Sequence, residues 1–300
     1  MSTIKVYIDI NAISNFAQLS TSDEVISLVH KQGCEPIISD TVVQELLRHR
    51  DSSFRNLIGK FIVDLLQDRP ILAPLAYQIH CSSIDFAEGQ KTFRPYETKK
   101  SDWVKDLLID SDRLTMDDIT KLDHERGYEA DSWEKMHTKG RVELQKLITK
   151  TGQVPSINDW LDLMNSDFVR DLIGGIVASE ALPKIRGDEQ RFIDWNPLLQ
   201  CFLEQLLLAI YRHTVEPPTA ASKKGPGWVD YSHGAFAGLV HVFVTDDKRF
   251  FRALKQHIQL FPKWKYLIFK HTQIKEVLES GQDFENSDVE KRIQPLPSRE

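Results

Sequence analysis

The sequence has few cysteines and no excess of positive charge, and both deficits narrow the classes of protein to consider. Its 300 residues include only three cysteines, Cys34, Cys81 and Cys201. They are odd in number, far apart and without the paired spacing of a zinc site, so we expect free thiols in a reduced, cytoplasmic compartment. The formal net charge is −6. No global basic field therefore draws the chain onto nucleic acid, although basic groups could still act locally.

Long apolar runs are also missing. The longest, at residues 206–211 and 235–244, fall well short of the roughly 20 residues that a membrane span requires. The first residues lead directly into a predicted strand that contains Lys5 and ends at Asp9, which does not fit a secretory signal peptide. We therefore expect a soluble protein that has no membrane partner.

The residues that are present favour an α/β fold. Hydrophobic residues make up 41% of the chain, enough for a large core. Short apolar runs predict four strands, at residues 4–8, 36–38, 241–244 and 266–269. Helical periodicity at residues 23–31 and 41–50 follows the first two strands. This β–α alternation predicts a mostly parallel central sheet with helices on both faces.

The pattern changes between residues 80 and 200, where charged helical segments replace the β-branched runs. Helices are predicted there at residues 101–108, 132–149 and 158–178, and a further apolar helix at 198–211 returns to the core. We divide the chain into a first core part (1–79), a helical insertion (80–200), a second core part (201–282) and a mobile polar tail (283–300). Residues 217–227 are predicted to form a flexible loop.

Four acidic residues stand where a metal-dependent enzyme could use them. They are Asp9 at the end of the first strand, Glu45 in the helix after the second, Asp230 at the start of a helix rich in small residues, and Asp247 just after the strand at 241–244. Open α/β sheets place their sites at the carboxyl ends of strands. Converging carboxylates repel one another unless a hard cation such as Mg²⁺ or Mn²⁺ binds among them, and that cation would activate water for attack on a phosphodiester. Structural alternatives are open: Asp9 and Asp230 could be N-caps, and Glu45 a solvated helix residue.

Neighbouring residues could support these acids. Asn11 could hold a water molecule in the same crevice, Thr245 could orient a carboxylate, and Asp246 could assist or cap the next helix. His233, one turn after Asp230, is expected to be a packing or hydrogen-bonding residue. Basic residues close to the acids could position phosphate groups or could be ordinary solvated surface; these are Arg48, Lys223, Lys224, Lys248 and Arg249.

The pattern resembles the PIN-domain nucleases. The likeness is carried by KVYIDINAISNF (5–16), PIISDTVVQELLRH (36–49) and VDYSHGAFAGLVHVFVTDDKRF (229–250). That family has an Asp after its first strand, a Glu on the helix after its second, an Asp opening a small-residue helix, and a strand followed by Thr-x-Asp. Asp9, Glu45, Asp230 and Asp247 match these positions, and the Thr-x-Asp spacing selects Asp247 over Asp246.

The resemblance implies a PIN-like three-layer fold and an endonuclease with RNA as its preferred substrate. One or two Mg²⁺ or Mn²⁺ ions would be held by the four acids. An inhibitory or complex partner protein and a homo-oligomer are both compatible with the family.

Two rival interpretations are open. A phosphatase of the haloacid-dehalogenase type also begins with an Asp at a first strand end, but it needs Asp-x-Asp, and this chain has Asp9-Ile10-Asn11. A catalytically silent PIN-like module could bind nucleic acid or a protein partner through the insertion. The presence of all four acids argues against that degenerate site.

Overall fold

A parallel sheet forms the centre of the protein. The computed structural model describes residues 3–19, 22–98, 101–110, 113–162, 167–215, 228–281 and 284. Within them lie β1 (Ile4–Ile8), β2 (Cys34–Ile37), β3 (Val242–Val244) and β4 (Leu267–Phe269). These strands form one sheet in the order β2-β1-β3-β4, and each neighbouring pair is parallel. The predicted α/β class, parallel sheet and four strands are confirmed.

The strand order creates a switch point between β1 and β3. From β1 the chain passes to β2 on one side, then returns to place β3 on the other side of β1. Val6 accordingly pairs with Pro36 on one side and with Val242 on the other. The crevice at the carboxyl ends of such strands is where open α/β sheets bind ligands, and in this chain Asp9 and Thr245 begin the loops that leave it.

Fifteen helices are present in the described part of the chain. In order they are α1 (Ile10–Ala17), α2 (Ser22–Lys31), α3 (Asp40–Leu47), α4 (Ser52–Leu66), α5 (Leu75–Ala87), α6 (Ser101–Ile109), α7 (Met116–Thr151), α8 (Ile157–Leu161), α9 (Asp167–Ile176), α10 (Leu182–Ile185), α11 (Glu189–Trp195), α12 (Pro197–Val215), α13 (Trp228–Ala235), α14 (Lys248–Leu260) and α15 (His271–Ser280). A 3₁₀ turn, Phe236–Leu239, follows α13. None of the described helices combines the length and the apolar character that a membrane crossing requires.

The helices form two groups, and each group contacts the sheet. In the first group α1 contacts α2, α4 and α15, and α2 contacts α4 and α15; α2, α4 and α15 also contact edge strands. The second group surrounds α12, which contacts α5, α7, α8, α11, α13 and α14. Helix α12 is buried along most of its length because apolar residues occupy all of its faces. The arrangement is compatible with a three-layer α/β fold.

The middle segment is mainly helical and shares the core of the sheet. Val104, Leu108 and Trp160 belong to the same hydrophobic cluster as the strands. The helix predicted at 132–149 is the second half of α7, which has 36 residues. The helix predicted at 158–178 corresponds to α8 and α9. Helices α5 and α12 run across the predicted boundaries at 79/80 and 200/201.

Two predicted segments fall largely outside the description. The predicted flexible loop at 217–227 lies wholly outside the described residues. So does the predicted mobile tail, except for Phe284, which is buried against Phe269.

Candidate active site

Asp9 is a buried carboxyl at the switch point. It is 2% exposed and N-caps α1, where Oδ1 accepts a hydrogen bond from the Ala12 N–H at 2.8 Å. Its Oδ2 accepts a hydrogen bond from the Thr245 hydroxyl, so Thr245 contacts the carboxyl that it was expected to orient. Burial raises the pKa of Asp9 from 3.8 to about 7, outweighing the lowering effect of both hydrogen bonds. The two hydrogen bonds therefore do not fully compensate for the burial of the ionised carboxylate.

His233 is the centre of a chain of four hydrogen-bonded side chains. Its Nε2 lies 2.9 Å from Oε2 of Glu45, and its Nδ1 lies 2.6 Å from the Tyr7 hydroxyl. The Tyr7 hydroxyl is also 2.7 Å from Oγ of Ser39. The expected hydrogen-bonding role of His233 is confirmed. The chain ties β1 to α3 and α13 directly beside Asp9.

Three of the four predicted acids act on His233. Burial lowers the pKa of this imidazole, but the charges of Glu45, Asp9 and Asp230, together with the hydrogen bond to Glu45, raise it above 6.5 overall. This buried imidazole lies between a carboxylate on one side and a phenol on the other, and an imidazole in such a position can exchange protons with both. The structure therefore places the carboxyl groups of Asp9, Glu45 and Asp230 within electrostatic range of the same imidazole.

Asp230 lies in the first turn of α13 and is half-buried. Because the helix begins at Trp228, Asp230 is inside it, and the N-cap alternative for this residue is wrong. Small residues let α13 and the 3₁₀ turn approach α12 closely. A Cβ on Gly234 would lie 2.0 Å from Oε1 of Gln205, and one on Gly238 would lie 2.5 Å from the Pro197 carbonyl oxygen. The 3₁₀ turn then contacts β1.

Asp247 caps a helix. Its Oδ1 accepts hydrogen bonds from the N–H groups of Arg249 at 2.7 Å and Phe250 at 2.8 Å, at the start of α14. The alternative in which Asp246 caps this helix is therefore wrong, because the cap is the following residue.

Asp246 instead joins β3 to two other elements. Its Oδ2 accepts a hydrogen bond from Nδ2 of Asn15 at 2.6 Å and lies 2.7 Å from Nδ1 of His271. Its charge contributes to the raised pKa of Asp9. Asn15 and His271 were not predicted: Asn15 lies within the stretch 5–16 but at none of the positions that the family pattern names, and His271 lies outside all three stretches. Tyr7 was also missed, although the two-residue period of a strand places it on the same face as Asp9.

The remaining predicted residues lie on the surface or outside the described part. Asn11 is exposed near the start of α1. Arg48 is half-buried at the end of α3, whereas Lys248 and Arg249 are exposed in the first turn of α14. Lys223 and Lys224 lie outside the described residues.

A divalent cation fits this donor set in chemistry and only partly in position. Asp9, Glu45 and Asp230 supply the carboxylate oxygens that Mg²⁺ and Mn²⁺ prefer. The raised pKa of Asp9 marks a carboxyl that a nearby cation would return to its ionised form. Among the described residues, no three Asp, Glu, His or Cys side chains are close enough together to hold an ion. Side chains would have to close on Asp9 to complete the coordination.

Comparisons of the chain with protein-family models, curated proteins and solved structures find no match.

Proposed function

We propose that the protein is a PIN-like endonuclease that uses Mg²⁺ or Mn²⁺ to hydrolyse phosphodiester bonds, with RNA as its preferred substrate. The observation that carries the proposal is Asp9, which is buried at the switch point of a parallel sheet with its pKa raised to about 7. Burying a carboxyl without full compensation is costly, and strongly perturbed groups concentrate at functional sites. Glu45 and Asp230, which act on the adjacent His233, supply further acids at the same sheet edge.

The proposed mechanism assigns a role to each acid and to Thr245. The ion would be held by Asp9, Glu45 and Asp230, with Asp247 as the fourth acid of the PIN-like pattern. When bound, it would stabilise developing negative charge and activate the attacking water. The Thr245 hydroxyl fixes the orientation of Asp9.

Proton handling and substrate positioning fall to other side chains. His233 holds Glu45 in place and can take up or release a proton at Nε2. Arg48, Lys248 and Arg249 are close in sequence to these acids and would contact the phosphates of a polynucleotide.

Cleavage assays with the purified chain test the proposal. We expect cleavage of an RNA panel in Mg²⁺ or Mn²⁺, no cleavage in EDTA, and no cleavage by Asp9→Asn. The control is Asp68→Asn, which removes an exposed acid outside the site and should leave the rate unchanged. Full activity in EDTA or in Asp9→Asn would rule out this mechanism. Binding of RNA without cleavage in either metal would favour the catalytically silent module.

A further inference from the structure

A cavity beside β1 and β2 is separate from the candidate active site. Its volume is about 510 Å³, within the usual range of small-molecule sites. Lys5 and Glu35, which are neighbours across β1 and β2, line one side. The chain after α4, the loop at 91–95, the end of α11 and the start of α12 supply the other walls. None of the acids of the candidate active site lines this cavity.

Three basic residues from three separate segments line the cavity. They are Lys5 in β1, Arg69 after α4, and Lys91 in the loop at 91–95. Among the described residues, none of the three has an ion-pair partner. Two carboxylates, Glu35 and Asp194, line the same cavity, so its charged side chains carry a formal net charge of +1, although the whole chain is acidic. The three cations therefore offer partners for an anionic group, and the two carboxylates offer acceptors for a polar one.

Two aromatic side chains give the cavity a surface for a planar group. Phe93 and Trp195 both line it, and their ring centroids are 5.7 Å apart with the planes at 80°. Both side chains are half-buried, so part of each ring is open to the cavity. The Trp195 ring also packs against the rings of Phe86 and Phe192. A rigid aromatic wall of this kind stacks on nucleobases with little loss of conformational entropy.

The cavity also contains acceptors for hydroxyl and amino groups. Glu35 and Asp194 line it, and a carboxylate accepts hydrogen bonds from ribose hydroxyls or from the exocyclic amine of a base. We infer that this cavity binds a mononucleotide, with its phosphate on Lys5, Arg69 and Lys91 and its base on the aromatic wall. Free phosphate would use only the cations, and a nucleoside would use only the wall and the acceptors. The inference does not depend on the proposed nuclease activity.

Calorimetry on the full chain tests the inference with AMP and GMP, and with adenosine and inorganic phosphate as separate probes. We expect the nucleotides to bind and each part alone to bind at least about tenfold more weakly. The double variant Arg69→Gln/Lys91→Gln should weaken nucleotide binding by about tenfold or more, because each charge contacts the phosphate. The matched control is Arg94→Gln. Arg94 is an exposed cation in the same loop, but it does not line the cavity. It should bind as the wild type does.

Two further measurements locate the bound nucleotide. Asp9→Asn should bind nucleotide normally, which separates this cavity from the candidate active site. The change in tryptophan fluorescence on binding should disappear in Trp195→Phe, which keeps an aromatic ring in the wall. The inference is overturned if AMP and GMP fail to bind at millimolar concentration, if phosphate binds as tightly as AMP, or if the double variant binds normally. It is also overturned if the double variant weakens the binding of RNA oligonucleotides but not of AMP and GMP, since the cavity would then contact a polymer.

Discussion

At the scale of single residues, Asp9 and His233 form a coupled pair of buried ionisable groups. Burial disfavours the charged form of each, and each favours the charged form of the other. Glu45 strengthens the cationic form of His233 through a direct hydrogen bond, whereas the Thr245 hydroxyl and the Ala12 N–H are the neutral donors to Asp9. The balance leaves Asp9 poised near neutral pH, where it can respond to a bound cation.

Asp9→Asn should stabilise the protein in a pH-dependent way. The pKa of Asp9 is raised from 3.8 to about 7 in the folded state, which corresponds to roughly 4 kcal/mol at most. The folded state favours the protonated carboxyl. The contribution of Asp9 to the stability of the wild-type protein is therefore complete below pH 3.8 and is lost as the pH rises to about 7. Urea unfolding should give similar stabilities for the two proteins near pH 4. The variant should gain an increasing advantage up to pH 7 and a constant one above it.

The matched variant Asp68→Asn should show no such trend, because Asp68 is exposed. A variant Asp9→Asn that is less stable than the wild type at pH 8 would mean that the cap matters more than the buried charge.

Glu45→Gln should lower the pKa of His233. The charge of Glu45 is the largest influence that raises this pKa, and the amide that replaces it can still accept a hydrogen bond but carries no charge. NMR titration of the imidazole, assigned with His233→Gln, should give a pKa above 6.5 in the wild type and a lower one in Glu45→Gln. Asp68→Asn should leave it unchanged. An unaltered titration in Glu45→Gln would show that the contact does not form in solution.

At the scale of helices and strands, the local pattern of apolar and polar residues was enough to predict the strands and most of the helices. The strands were predictable because each is a short apolar run bounded by polar residues, and most helices show a single apolar face. The first half of α7 was missed because it is highly charged, although Thr115 and Asp118 form a capping box at its start and Gly152 ends it in the left-handed conformation. The adjacent acids Asp246 and Asp247 could not be told apart for the capping role from sequence, because only backbone geometry decides which one caps α14.

Gly59 and Gly175 test how closely the helices pack. A Cβ on Gly59 in α4 would lie 2.1 Å from the Leu108 carbonyl oxygen of α6, whereas nothing lies within 4 Å of one on Gly175 in α9. Gly59→Ala should therefore destabilise the protein by about 1–3 kcal/mol despite its better helix propensity. Gly175→Ala should stabilise it by up to about 1 kcal/mol. Equal effects of the two substitutions on urea unfolding would contradict the close contact of α4 with α6.

At the scale of the whole molecule, the candidate site depends on contacts between distant parts of the chain. The hydrogen bonds from His233 to Tyr7 and Glu45 span 226 and 188 positions. The sequence could identify the four acids, but it could not show that His233 would link Glu45 to Tyr7 and Ser39. Side-chain networks of this kind become visible only once the packing of α13 beside β1 is known.

Metal binding should stabilise the whole fold. A ligand that binds only the native state at 100 times its Kd adds about 2.7 kcal/mol to the free energy of unfolding. We expect Mg²⁺ or Mn²⁺ to raise the melting temperature of EDTA-treated wild-type protein, and to raise that of Asp9→Asn much less. The temperature shift can be measured without any substrate. A shift of equal size in both proteins would place the ion elsewhere.

The pairing of β1 with β3 can form only after most of the chain has been synthesised. The Thr245 hydroxyl that contacts Asp9 is encoded 236 positions later, and Val242, the partner of Val6, is almost as distant. A ribosome that adds about 5–20 residues per second needs roughly ten to fifty seconds to cover that interval. Throughout it, one edge of β1 has no strand beside it, and Asp9 lacks the hydroxyl that orients it. A nascent chain therefore cannot complete the candidate site until most of the polypeptide has been translated.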